Sequence, residues 1–186
     1  MLDTAEKPIN LVGGIDFQSI YDSQSPTGDI LSLSGRTLHY IKSKNKITVY
    51  DTEYPQFKLS TWYDPKECIL EFNVHTRSNE PSILTRFPEG VHPDMRAGDF
   101  IRHTYDRTID EGLTIKGIAS DWSSESDNYK VFKSNYKNFG PVGAAQKTWG
   151  AQQYAKLGFT QLRKEEVKVL DLDTPDGVVR AIFRKP

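Results

Sequence analysis

The stretch that most constrains the fold is residues 36–87, in which short apolar segments follow one another without a helical pattern. The clearest of them alternates so that Cys68, Leu70, Phe72 and Val74 share one side of a strand. Four or five strands are predicted in succession: residues 37–41, 47–50, 58–63, 67–76 and the short segment 82–87. Consecutive strands without intervening helices predict an antiparallel sheet.

The pattern changes after residue 90. Residues 93–111 carry apolar side chains at helical spacing and end before Gly112. Residues 113–122 form a short apolar run typical of a central strand. A strand, a helix and a strand in this order form a crossover, so two neighbouring strands are expected to be parallel.

The last part of the chain adds two helices and a hairpin. An aromatic stripe over residues 129–139 predicts a helix that starts near Ser126 and ends at Gly140. Residues 143–159 predict one helix with Tyr154 as the large polar group on a face of small residues, closed by Gly158 in the left-handed conformation. Strands at 166–173 and 178–184 flank a turn.

These elements predict an α+β fold: a mixed, mainly antiparallel sheet with flanking helices, closed by a C-terminal β-hairpin. Residues 36–186 are expected to form a single domain. Residues 1–35 are rich in Gly, Ser, Asp and Gln, which predicts an irregular N-terminal arm with one short helix.

Composition excludes several classes of protein. A formal charge of −1 argues against a nucleic-acid-binding surface. The single cysteine, Cys68, excludes an internal disulfide framework and a cysteine-built zinc site, and its apolar side of the strand predicts a buried, inert thiol. We therefore expect a reducing compartment, either the cytoplasm or a host cytosol into which the protein is delivered. No apolar run predicts a secretory signal or a membrane span.

The residues that could carry chemistry give few local signals. The histidines lack the paired spacing of a metal motif, so no metal site is predicted: His39, His75, His92 and His103. Glu71 and His75 lie on one side of a strand, where they form either a functional pair or, as we favour, part of a partly exposed polar sheet face. Neither a G-x-S-x-G elbow nor a Walker-type phosphate loop is present.

Two segments carry more information together. His92-Pro-Asp-Met-Arg96 precedes a helix, and Tyr154-Ala-Lys-Leu-Gly-Phe159 ends a later one. They resemble two landmarks of the GNAT acyltransferase superfamily, over about residues 82–184 and in the order strand, helix, strand, helix, hairpin. In that family, a glycine-rich turn and the helix N-terminus that follows it hold the pyrophosphate of acyl-coenzyme A.

The resemblance implies a set of cofactor-binding residues for acetyl-CoA: Arg96, Ala97, Gly98, Asp99, Phe100 and Ile101. The sequence departs from the family pattern here, because Asp99 and Ile101 occupy the positions of Gly and of Gly or Ala. An aspartate among amides that face a diphosphate is electrostatically unfavourable.

The resemblance also implies a mechanism in which an amine of a small molecule or protein attacks the acyl thioester directly. Tyr154 is then the donor that protonates the departing thiolate. Glu71 or His75 is the candidate base, chosen because both lie on a strand of the same sheet. Backbone N–H groups where strands splay beside residues 82–87 are expected to polarise the carbonyl.

Two alternatives stay open. Asp99 and Ile101, with the strand-rich N-terminal half, also fit a non-catalytic GNAT-like binding or effector module that has lost coenzyme A binding. The other alternative is an unrelated α+β enzyme, a transferase of toxin type, with its site in the strand-rich half.

Overall fold

The computed structural model describes residues 14–186. Its helices are α1 (Phe17–Asp22), α2 (Pro81–Arg86), α3 (Ala97–Asp110), α4 (Asp127–Gln146) and α5 (Trp149–Ala155), with a 3-10 turn at Lys164–Glu166. Its strands are β1 (Thr27–Leu31), β2 (Thr37–Lys42), β3 (Lys46–Asp51), β4 (Lys58–Asp64), β5 (Ile69–His75), β6 (Gly117–Ser123), β7 (Val167–Leu170) and β8 (Val178–Phe183). The first part of the predicted arm, residues 1–13, lies outside the described residues.

The strands form one eight-stranded sheet in the order β1-β2-β3-β4-β5-β6-β8-β7. Every neighbouring pair is antiparallel except β5 and β6, which are parallel and are connected through α2 and α3. The predicted α+β class with a mixed, mainly antiparallel sheet is therefore confirmed. A parallel crossover pair is present, but its first strand is β5 and not the predicted residues 82–87. β7 and β8 pair antiparallel across the turn at residues 171–177.

The helices pack on one face of the sheet. Leu70 and Phe72 of β5 point to this face, where the Phe72 ring meets Phe100 of α3 at a centroid distance of 5.9 Å. Trp122 of β6 meets Phe132 of α4 at 6.2 Å on the same face. The opposite face carries mostly polar and partly exposed side chains, a division that follows from the two-residue period of a strand.

The predicted strand over residues 82–87 is wrong, because this segment is helix α2. Pro81 occupies a first-turn position, where its fixed φ suits a helix and its missing N–H leaves no helical bond unmade. Ile83 and Phe87 are four residues apart, and both are buried. A six-residue segment with this spacing satisfies a helical face as well as a strand, and packing decides between them.

Residues 143–159 form two helical pieces, which corrects the prediction of one helix. α4 runs past a kink at Gly140, where φ is +68°, and ends at Gln146. Thr148 then begins α5: its fully buried side chain accepts from Ala151 N at 3.2 Å and donates to Ala145 O at 2.7 Å. The predicted left-handed end at Gly158 is confirmed by a φ of +89°.

Two further predictions change in the first half of the chain. Residues 27–31, placed in the irregular arm, form β1 and pair with β2 in the same sheet. Cys68 does not lie in a strand: it sits in the turn before β5 with a φ of +54° and is only partly buried. The prediction of a buried thiol on an apolar strand face is therefore wrong.

Candidate active site

β5 and β6 pair over a short distance and then stop pairing. Their parallel register runs from Ile69 opposite Gly117 to Phe72 opposite Ser120. Each strand continues beyond that point, β5 paired to β4 as far as His75 and β6 paired to β8 as far as Ser123. We call this region the wedge: residues 73–75 of β5 and residues 121–123 of β6. The splay predicted beside residues 82–87 is wrong in position, because those residues are helical.

Tyr154 lies beside the apex of the wedge, on the helix-covered face. Its hydroxyl group forms a hydrogen bond with the hydroxyl of Ser120, the last residue of β6 that pairs with β5. The ring packs between Phe72 and Phe183, at centroid distances of 6.2 Å and 5.3 Å. Tyr154 is 2% exposed, and burial raises its pKa to about 12. Its hydroxyl is therefore protonated at any ordinary pH.

Glu71 lies on the opposite face of the sheet from Tyr154 and belongs to an ionic cluster. Arg180 of β8 donates to Glu71 at 2.8 Å and to Asp121 at 2.8 Å. Burial acts to raise the pKa of Glu71, but its hydrogen bonds with Arg180 and Asp121 outweigh burial and hold the pKa below its ordinary value. Burial and the contact with Glu71 raise the pKa of Asp121. An ionised, bonded Glu71 is a weak base.

His75 ends β5, on the wedge side and on the same face as Glu71. Burial lowers its pKa, and the positive charge of Lys58, its cross-strand neighbour, lowers it further. The imidazole is consequently neutral near pH 7 and able to accept a proton. His75 therefore lies, like Glu71, on the opposite face of the sheet from Tyr154, and of the two predicted bases it is the one that is not held in its charged form by an ion pair.

The residues that the resemblance assigns to pyrophosphate binding all lie at the start of α3: Arg96, Ala97, Gly98, Asp99, Phe100 and Ile101. Phe100 and Ile101 are core side chains, at 0% and 1% exposure, so they do not line a surface site. Phe100 N is bonded to Arg96 O at 3.0 Å, and within residues 14–186 no N-cap side chain bonds to the amides that precede it. These amides suit an anion.

Two features at this helix start act against an anion. Asp99 is exposed in the first turn, where its carboxylate already complements the helix dipole. α5 also passes close by: a Cβ added at Gly98 would lie 3.3 Å from Gln153 Oε1 and 3.9 Å from the Trp149 ring. Both features therefore disfavour a diphosphate at these amides.

A buried polar network was not predicted from the sequence. His92 and Asp51 are about 1% exposed, and His92 Nε2 lies 2.9 Å from Asp51 Oδ2. His92 Nδ1 accepts from the backbone N–H groups of Asp94 and Met95, at 3.1 Å each. Nδ1 is thus unprotonated and Nε2 donates, so His92 has no free nitrogen for general-base chemistry.

The same network ties distant segments together. Arg36 Nε donates to Asp51 Oδ2 at 2.9 Å. Asp94 accepts from Gly14 N at 3.1 Å and from the hydroxyl groups of Ser32 and Ser34. This network fixes residues 14–36 against the loop that precedes α3, a structural role.

We expect folding stability to fall as the pH drops through about 6.5, the ordinary pKa of histidine. Burial lowers the pKa of His92 even though Asp51 opposes the shift, so the unfolded chain binds more protons than the folded chain in this range. Urea unfolding at pH 8, 7, 6 and 5 measures the slope. His92→Asn keeps an acceptor for the two backbone amides and should flatten the slope, whereas an unchanged slope would contradict this account.

Comparison with known proteins adds no relative. No family model matches the chain, and no curated protein or solved structure is significantly similar to it. Within residues 14–186, no helix is both long and apolar enough to cross a bilayer. The same residues contain no cluster of three His, Cys, Asp or Glu side chains arranged for a metal ion.

Proposed function

We propose that the chain is a GNAT-like, acyl-coenzyme A-dependent N-acyltransferase that transfers an acetyl group to an amine of a small molecule or protein. The observation that carries the proposal is the Tyr154 hydroxyl bonded to Ser120, the residue at which β5 and β6 stop pairing. A phenolic donor at the apex of two separating parallel strands is what the resemblance implies for a group that protonates a departing thiolate.

The order of elements supports the same proposal. From β5 onward the chain runs strand, two helices, strand, two helices and antiparallel hairpin, with α3 starting close to α5. The reducing environment suggested by one cysteine fits a protein of the cytoplasm or one delivered into a host cytosol. Acetyl-CoA would supply the activated acyl group, held by the backbone amides at the start of α3.

The chain's own residues have distinct roles in this proposal. His75, neutral near pH 7, takes the proton that the attacking amine loses. Tyr154 holds a proton at its hydroxyl oxygen for the sulfur that departs. Its pKa of about 12 exceeds the ~8.5 of an ordinary thiol, so transfer of this proton to the sulfur is uphill. The hydrogen bond with the Ser120 hydroxyl already opposes the effect of burial on this pKa and stabilises the phenolate as it forms.

Titration calorimetry with acetyl-CoA tests the proposal. We expect saturable binding by the unaltered chain and about 2- to 5-fold tighter binding by Asp99→Asn, because a carboxylate in the first turn of α3 repels a diphosphate. Asp110→Asn is the matched control at the far end of the same helix and should leave affinity unchanged. If the unaltered chain does not bind acetyl-CoA at millimolar concentration, the proposal that it is an acetyl-CoA-dependent enzyme is overturned.

The second candidate is a non-catalytic GNAT-like binding or effector module. Two observations favour it: Tyr154 is enclosed by the core, and Gln153 and Trp149 lie against Gly98 at the start of α3. The same calorimetry separates the candidates, since binding that appears only in Asp99→Asn identifies a chain that has lost the cofactor.

A further inference from the structure

A cleft of about 360 Å³ lies at the opposite end of α3 from the proposed cofactor site. Its walls come from α1, from the C-terminal half of α3 and from the turn between β2 and β3. None of the residues that line it belongs to the wedge or to the start of α3. Its volume is within the range of small-molecule sites.

The floor of the cleft is apolar and made of buried side chains. Ile47, Tyr63 and Leu70 line it, at 3%, 8% and 1% exposure. Tyr63 has its hydroxyl committed to Thr114 O at 2.9 Å, so its ring is what it offers to the cleft. This floor suits the apolar body of a ligand.

One polar atom at the cleft lacks a partner. Thr104 is 4% exposed and lines the cleft, and its Oγ1 is buried without a hydrogen bond among residues 14–186. Burial raises the pKa of the nearby Tyr21 phenol, and the Thr104 hydroxyl acts in the opposite direction. The phenol oxygen of Tyr21 and Thr104 Oγ1 nevertheless do not form a hydrogen bond. A buried hydroxyl without a partner is costly and is explained when a ligand supplies one.

The charge around the cleft is positive in a chain whose formal charge is −1. The lining residues include four cations, Lys42, Lys44, Lys46 and Arg107, and one acid, which pairs with Arg107 at 2.8 Å. Lys42 donates to backbone carbonyls at the end of α1, including Ile20 O at 2.7 Å. Lys44, in the exposed turn, forms no ion pair with the rest of residues 14–186 and is available to an anion.

From these features we infer that the cleft binds a small carboxylic acid with an apolar, ring-sized body. The body packs on Ile47, Tyr63 and Leu70, the Thr104 hydroxyl bonds to a ligand oxygen, and the carboxylate meets the Lys44 side of the cleft. The inference is independent of the proposed acyl transfer, because the two sites share no residue.

The test uses the full chain, labelled with ¹⁵N, and two probes that differ in charge: 3-phenylpropanoate and 3-phenylpropan-1-ol. We expect the acid to saturate and to shift the amide signals of Ile47, Leu70 and Thr104, while the alcohol binds at least about 5-fold more weakly. Lys44→Gln should lower the affinity for the acid by about 2- to 5-fold. Lys137 is an exposed lysine on α4, and Lys137→Gln should leave that affinity unchanged.

Two threonines of α3, Thr104 and Thr108, distinguish a contribution of hydrogen bonding to ligand affinity from a contribution of side-chain shape. Thr104→Val should lower the affinity for 3-phenylpropanoate by about 3- to 10-fold, since it removes the hydroxyl group that has no hydrogen-bond partner within residues 14–186. Thr108→Val, one turn later in the same cleft, should change affinity less than about 2-fold, because the Thr108 hydroxyl already donates to Thr104 O at 2.8 Å. Equal binding of acid and alcohol, shifts confined to other regions, or no saturation at 20 mM would each overturn the inference.

Discussion

Replacing Asp51 by alanine is expected to lower the free energy of unfolding by about 3–5 kcal/mol, the cost of breaking a buried ion pair by removing one partner. Asp51 accepts from His92 Nε2 and Arg36 Nε through one oxygen, and from the backbone N–H groups of Glu53 and Tyr54 through the other. Alanine leaves the buried His92 donor and the cation of Arg36 without this acceptor. Urea unfolding at pH 7.5 measures the loss.

Asp29→Ala provides a matched control, because Asp29 also pairs with a histidine, His39, at 2.6 Å. That pair lies at the surface, with the Asp29 side chain 65% exposed, so the change should cost less than about 1 kcal/mol. If the two variants lose similar stability, the burial of the Asp51 network is not the source of its contribution.

Tyr154→Phe is expected to lower kcat for acetyl transfer by about 10²-fold or more while changing KM by less than about 3-fold, provided the proposed enzyme is correct. The variant removes the hydroxyl that protonates the leaving sulfur and keeps the ring between Phe72 and Phe183. Release of free thiol from acetyl-CoA, followed with a panel of small-molecule and peptide amines as acceptors, measures the rate. The same substitution should lower the free energy of unfolding by about 1–2 kcal/mol, because the Ser120 hydroxyl loses its hydrogen-bond partner.

Tyr129→Phe controls for the loss of a buried tyrosine hydroxyl. Tyr129 is 3% exposed, and its hydroxyl donates to Leu172 O at 2.6 Å, in the turn between β7 and β8. This variant should lose a similar amount of stability and keep kcat. If Tyr154→Phe retains full kcat, Tyr154 is a core residue and the assigned donor is wrong.

The central strands could be predicted because each buries alternate residues on one face, as Leu38 and Tyr40 do in β2. β1 could not, since none of its residues is fully buried: an edge strand with the sequence T-G-D-I-L leaves no apolar alternation to detect. The pattern predicts one helix where α4 ends and α5 begins, because the break depends on one side chain, Thr148, which bonds on both sides of it. When the apolar spacing of a short segment fits both a helix and a strand, packing decides which of the two forms.

The candidate site was predictable only in part. The Tyr154 motif is local, so the residue could be singled out, but its partner Ser120 lies 34 residues earlier and no spacing links the two. The His92–Asp51 contact spans 41 residues and joins a loop to a strand end. Such contacts follow from the strand order, and the sequence offers no local pattern that signals them.

The position of Arg180 has a consequence for how the sheet can move. Its guanidinium group reaches from β8 across β6 to β5, holding Asp121 and Glu71 at 2.8 Å each on the face away from Tyr154. The point where β5 and β6 part is therefore held by hydrophobic packing on one face and by the ion pairs of Arg180 on the other. We therefore expect the junction to act as a rigid point of the sheet and not as a hinge.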